Sequence, residues 1–291
     1  MILARLLFLS VAVTTSSLAQ GGLCPNGRPS KESNEAKMLA FFAVPIAFSP
    51  AGSVAPMKAG EVRLSFDATY VPSPGKDITS PDECYRNDKT ENTELSPVFP
   101  RPRIAVGLGG GFGLEASYLP PITVLDATPN LFAAALAYAR AIGGRGMSML
   151  VRAHATVGQV KGPITCSPDV IQTTNPSGSC YATEPSEDTY KPGMIGAEVA
   201  LGFGRGSRLE SYVGVGVTAL RPRFQVGYVD ASNPPNFDDT LLEVNLTRVA
   251  AFVGAAYRVG DRVALTSEIY SVPWDVTTIR LGGSFRVREG R

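Results

Sequence analysis

The sequence predicts an all-β chain: an up-and-down antiparallel transmembrane β-barrel of about ten strands (8–12), whose N-terminal segment is a candidate plug for the lumen. Three observations carry this. Strict apolar/polar alternation recurs along most of the chain. Tight glycine-containing turns alternate with longer polar loops. Beyond residue 19, no stretch reaches the roughly 18–20 uninterrupted apolar residues of a spanning helix.

The alternation is clearest over 61–70. Val62, Leu64, Phe66, Ala68 and Tyr70 share one face, and Glu61, Arg63, Ser65, Asp67 and Thr69 share the other. The same pattern is read over 104–108, 112–118, 147–157, 195–203, 209–219, 263–269 and 278–287. Residues 131–141 are apolar on both faces and read as a strand, with a helix as the alternative. Residues 242–258 alternate in one phase through Leu242, Val244 and Leu246 and in the other from Val249 onward. This phase change predicts a β-bulge near Thr247–Arg248. The short connections are Gly109–Gly111, Gly143–Arg145, Gly204–Ser207 and Val259–Arg262. Between them lie 72–101, 120–130, 162–192, 222–240 and 271–275, mostly longer and rich in Pro, Asn, Asp and Ser. A soluble sandwich gives no reason for that regular short–long order. A barrel with short periplasmic turns and long outer loops does.

Composition narrows the function. The 291 residues carry Lys+Arg 27, Asp+Glu 26 and His 1. That balance disfavours nucleic acid as a partner, because phosphate recognition needs a basic surplus. One histidine disfavours a zinc enzyme, and neither a metal nor a cofactor is expected. The domain reading has three parts. Residues 1–19 form a signal peptide: Arg5, the apolar run Leu6–Val13, and small residues Ser17 and Ala19 before a cleavage point at Gln20. Residues 20–59 form an N-terminal segment whose run Leu39–Phe48 is too aromatic for a simple leader and reads as a plug. Residues 60–291 form the barrel.

The inward faces gather charge: Arg63, Asp67, Glu115, Arg152, His154, Glu198, Glu268 and Arg280 are the candidates for a lumenal constriction. Charges confined in a narrow polar interior must neutralise one another. They form either a structural ion-pair ladder or a filter that selects solutes by charge. Inward glycines and alanines leave room for a plug or a small-molecule ligand. Four cysteines in an exported chain favour disulfides. Cys166 and Cys180 share one outer loop and are expected to pair. Cys24 would then pair with Cys84, which requires the N-terminal segment to reach the outer side through the lumen.

Residues Arg280–Val287 place Gly282, Phe285 and Val287 at the spacing of polar, any, Gly, any, any, hydrophobic, any, hydrophobic. This resembles the C-terminal assembly signal of outer-membrane proteins, although Arg288–Arg291 follow it. The general pattern over about 60–287 is similar to small bacterial outer-membrane barrels of porin and OmpA-barrel type. The resemblance implies a place in the bacterial outer membrane, contact with its lipid and lipopolysaccharide, and insertion by the barrel-assembly machinery. His154-Ala155-Thr156 resembles the His and Ser two residues apart of outer-membrane phospholipases and lipid A deacylases, with Thr in place of Ser. The alternation turns this His inward, away from the lipid-facing wall where those enzymes work. Asp230, Asp238 and Asp239 in an outer loop show no omptin-like constellation. The expected function is a narrow channel for passive passage of small or amphipathic solutes. The alternative is a structural or surface-binding barrel acting through its long disulfide-containing loops. A lipid hydrolase or protease is the weaker third reading.

Overall fold

A computed structural model describes residues 27–75, 77–79, 82–84, 97–124, 126–143, 146–178 and 180–291. The expected signal peptide, residues 1–19, and Cys24 lie outside these residues.

The first helix among the described residues is α1 (Asn34–Ile46), after which the chain runs without regular secondary structure to Gly60. The barrel wall follows: β1 (Val62–Tyr70), β2 (Val98–Gly109), β3 (Phe112–Leu119), β4 (Thr128–Ile142) and β5 (Met147–Gly162). A short β6 (Asp188–Lys191) precedes β7 (Met194–Phe203) and β8 (Leu209–Leu220). Four short strands come next: β9 (Arg223–Gln225), β10 (Tyr228–Val229), β11 (Phe237–Asp238) and β12 (Leu241–Glu243). The wall then resumes with β13 (Leu246–Arg258), β14 (Val263–Val272) and β15 (Val276–Arg288). The ten long strands pair antiparallel in the ring β1-β2-β3-β4-β5-β7-β8-β13-β14-β15, and β15 pairs back onto β1. The barrel is closed, so its central band has no free sheet edge.

The wall faces lipid on the outside. Leu64, Phe66, Leu114, Phe132, Leu136, Val215 and Leu281 project outward and are each about half exposed in the isolated chain. An apolar belt of that extent needs a hydrocarbon surround. Tyr70 and Tyr118 sit outward near the long-loop end, and Phe112, Phe203, Tyr257 and Phe285 near the short-turn end. These are the two aromatic girdles. We take the short-turn end as periplasmic and the long-loop end as outer.

Residues 131–141 lie in β4, not in a helix. Both faces are apolar because one meets lipid, while inward Ala133 and Ala135 pack on buried Phe48. The bulge expected at Thr247–Arg248 is absent: β13 runs in one register with β8 from Leu246–Leu220 to Tyr257–Leu209. The chain instead breaks after β12, which pairs with β9. Leu242, Val244 and Leu246 are buried on the inward side. At that height the apolar surroundings lie inside the outer cap rather than in lipid, so the hydrophobic phase inverts without an inserted residue. The loop expected at 72–101 ends earlier, because β2 begins at Val98. The loops at 162–192 and 222–240 contain the short strands, and β6, β9 and β12 extend the wall beyond the membrane band.

Candidate functional site

The interior is built around residues 27–59, which cross the lumen from the outer end to the periplasmic end. At the outer end Ser33 caps α1, its hydroxyl accepting from the Ala36 N–H at 3.1 Å. The β1–β2 loop holds the helix start. Asp82 accepts from the Asn34 N–H at 2.9 Å, and Glu83 accepts from the Ser30 N–H at 2.7 Å. Glu35 returns the contact, accepting from the Cys84 N–H at 2.6 Å. The bond from Asn34 holds the Asp82 carboxyl below its ordinary pKa. Most of α1 is buried on every side, as expected for a helix enclosed by protein. Tyr190 on β6 donates to the Leu39 carbonyl at 2.9 Å.

The last turn of α1 has no basic residue of its own. Its orphan carbonyls and negative dipole end need donors, and the barrel wall supplies them. Arg101 donates to the Ala47 carbonyl at 2.7 Å and the Ile46 carbonyl at 2.6 Å. Arg103 donates to the Ser49 carbonyl at 2.6 Å. Arg152 donates to the Phe48 carbonyl, and Arg280 to the Ser49 hydroxyl and, at 3.4 Å, the Val44 carbonyl. The guanidinium groups of Arg103 and Arg152 lie 4.6 and 4.7 Å from the centre of the Phe48 ring, and that of Arg101 lies 5.5 Å away. Phe48 is fully buried among three cations, a favourable cation–π arrangement in a desolvated site.

Carboxylates balance the arginines. Arg152 meets Glu115 at 2.8 Å and Glu198 at 3.0 Å. Arg280 meets Glu268 at 3.3 Å, and Arg103 meets Asp67 at 2.5 Å. Glu268 also accepts from Ser49, from the Ala51 N–H at 3.0 Å and from the Tyr212 hydroxyl at 2.9 Å. Arg101, Arg103, Arg152 and Arg280 stand against Asp67, Glu115, Glu198 and Glu268, so the clamp is formally neutral. Inward glycines make room for its aromatic supports: a Cβ on Gly214 would lie 2.3 Å from the Phe252 ring.

The structure thus brings together Asp67, Glu115, Arg152, Glu198, Glu268 and Arg280. His154 lies beside them, its Nε2 3.6 Å from Glu198. His154 and Thr156 are buried in the lumen and do not reach the lipid-facing wall. Arg63 stands apart at the periplasmic rim, paired with Glu61 at 2.6 Å. Arg63, Asp67 and Arg280 each have a direct partner of their own: Glu61, Arg103 and Glu268. Sequence reading missed Arg101 and Arg103, which fell in a presumed loop and at a strand edge. Their signal was the alternation of Arg101 and Arg103 with Pro100 and Pro102, in phase with inward Ala105. Phe48 closes the run read as a plug, but neither it nor Ser49 and Tyr212 was singled out as a partner of the inward charges.

The clamp separates two cavities. On the outer side an apolar cavity of about 290 Å³ lies between α1 and the ends of β2, β3 and β5. On the periplasmic side a smaller cavity of about 150 Å³ is lined by the charged Arg63, Glu115 and Glu210 together with apolar residues such as Met57 and Ala105. Cys166 and Cys180 form a disulfide in the outer cap. Cys84 is also disulfide-bonded, and Cys24, its expected partner, lies outside the described residues. Gly282 packs against β1, where a Cβ would lie 2.4 Å from the Phe66 carbonyl oxygen, while Phe285 and Val287 face outward.

No protein-family model matches the chain, and no curated protein matches it. Several solved barrels are similar in outline. Neisserial surface protein A shares 12% identity at a TM-score of 0.29, over 78% of this chain and 96% of that one. The attachment invasion locus protein Ail of Yersinia pestis shares 9% at 0.29, over 79% and 99%. The KdgM porin shares 7% at 0.28, over 78% and 99%. Scores this low fix neither topology nor function; closure into ten strands rests on the strand registers above.

Proposed function

We propose that this barrel is a narrow outer-membrane channel for a small amphipathic solute, held shut at rest by its own residues 34–59. One observation carries the reading: the carbonyls of Val44 and of Ile46 to Ser49 are gripped by four arginines from three strands, β2, β5 and β15, directly between an apolar outer cavity and a charge-bearing periplasmic one. A barrel that served only as a scaffold could fill its lumen with side chains. Here a length of backbone fills it, and few bonds hold that backbone to each strand. The neutral clamp argues against simple charge filtering and favours a weakly charged solute.

Planar-bilayer recording tests this. The wild-type protein should show no steady current. A variant with Arg103→Gln and Asp67→Asn, which removes one cation and its paired anion and so weakens the clamp without unbalancing it, should show brief openings. Stable pores in the wild type would refute the closed resting state. Silence in both, with no flux of amphipathic dye into vesicles, would favour the second reading. That reading, a surface-binding barrel, is supported by the ordered outer cap: Asp188 accepts from Ser186 at 2.8 Å and from the Gly227 N–H at 2.9 Å, beside the Cys166–Cys180 disulfide.

A further inference from the structure

The wall is not hydrogen-bonded over its whole height. The β2–β3 register runs from Gly109–Phe112 to Ile104–Ala116 and stops there. Above that point, among the described residues, Val98–Arg103 pair with β1 alone and Ser117–Leu119 with β4 alone. The sequence explains the stop. Gly107 donates to the Glu61 carbonyl and accepts from the Gly60 N–H, so the odd-numbered residues of β2 turn their backbone groups toward β1. The even-numbered ones face β3, because the side alternates along a strand. Pro100 and Pro102 are therefore on the β3 side, where proline has no N–H to give. If the register continued, Pro102 would oppose Tyr118 and Pro100 would oppose Pro120, a second proline. Three donors are missing from one short seam. Proline within a sheet belongs at an unpaired edge, and here the edge faces a cavity.

That cavity is the apolar one of about 290 Å³. Its lining crosses the wall: Val98 and Pro100 project outward, Phe99 and Leu119 project inward, and Phe42 and Ile46 come from α1. Among the described residues, no charged side chain lines it. Its size is at the lower edge of the roughly 300–1,000 Å³ of small-molecule sites. The seam opens at the height of Tyr70, which pairs with Val98, and of Tyr118, the outer girdle.

We infer that the β2–β3 seam is a lateral portal through which the hydrocarbon chain of an amphiphile dissolved in the outer leaflet enters and lodges against α1. This rests on the channel reading above and names its substrate class and route. The lipid phase is the source because the opening lies in the wall, at the girdle. An uncharged lining takes the chain, and the polar head stays at the interface among the outer loops. Entry from the membrane also removes the need for a water-filled outer mouth above α1.

Photo-cross-linking tests it. The protein is reconstituted in phosphatidylcholine vesicles containing a trace of hexadecanoic acid with a mid-chain diazirine, and labelled peptides are mapped by mass spectrometry. Label is expected on 42–46 and 97–100 as well as on the outward band. In the double variant Pro100→Val, Pro102→Thr, which restores two donors, label on 42–46 should fall while label on outward Phe132 and Leu136 stays. Leu119→Trp fills the cavity from inside and leaves the missing backbone donors of the seam as they are. Excluding even two methylenes, each worth ~0.8 kcal/mol, should lower occupancy about tenfold. Label confined to the outward band of the wild type overturns the portal. So does unchanged label on 42–46 in both variants, each checked as folded by its gel mobility before and after heating. A silent bilayer with no label on 42–46 would defeat the portal and leave the closed channel standing. Label on 42–46 with a steadily open wild-type pore would do the reverse.

Discussion

Arg152→Met is the sharpest perturbation of the clamp. The Arg152 side chain is fully buried and holds Glu198 at 3.0 Å, Glu115 at 2.8 Å and the Phe48 carbonyl, with its guanidinium over the Phe48 ring. Methionine keeps much of the stem volume and removes the charge. Glu198, with 1% of its side chain exposed, is then left as a buried anion. Removing one partner of a buried pair costs roughly 3–5 kcal/mol. Glu115, at 21% exposure, can be rehydrated and adds little. The unpaired Phe48 carbonyl adds about 1–3 kcal/mol, though such losses within one network do not sum. We therefore expect a loss of roughly 3–5 kcal/mol, with about half recovered in Arg152→Met/Glu198→Gln, where the stranded charge is gone. Urea unfolding in phospholipid vesicles, read by heat-modifiable gel mobility, measures it. Tryptophan fluorescence is a poor reporter, because the single Trp, Trp274, is 98% exposed at a turn. A loss below about 1 kcal/mol, the scale of a solvent-exposed pair, would refute a desolvated clamp. Absence of rescue by Glu198→Gln would refute the pairing.

Further outcomes follow from the same geometry. Phe48→Ala should cost about 3–5 kcal/mol in the same assay, because the ring is fully enclosed by arginines and by Ala133 and Ala135. It should also raise the frequency of openings in bilayers. Gly214→Val should cost ~1–3 kcal/mol or more, since its Cβ would lie 2.3 Å from the Phe252 ring, which stacks on Tyr270. Cys166→Ser with Cys180→Ser opens a loop with a sequence separation of 14, worth up to about 3 kcal/mol to the outer cap. Limited proteolysis should then cut 163–187 faster, while unfolding of the membrane band is unchanged.

The barrel was legible because lipid imposes a simple rule: one side of each strand is apolar, whatever lies on the other side. Strands such as β1 and β7, with polar or small inward residues, follow it directly. The rule failed where its premise failed. Over Leu242–Leu246 the strand has left the membrane and its apolar side turns inward, which looked like a bulge. In β4 the inner face is apolar as well, because alanines seat Phe48, which left a helix open as an alternative. In β2 the prolines hid the strand, so Arg101 and Arg103 were not seen as lumenal. The inward charges could be found from alternation, but their partners could not. Alternation gives a side, whereas pairing depends on register and on the backbone of residues 44–49 threading between them.

The central claim is that residues 34–49 lie enclosed in the lumen of the resting barrel. Hydrogen exchange of the folded protein in lipid nanodiscs, resolved by mass spectrometry, tests this most directly. The account predicts that amides of Ala36–Ala47 exchange as slowly as those of β5 and β8, because their release requires the clamp or the barrel to open. Exchange of that helix as fast as the exposed loop 231–236 would contradict it.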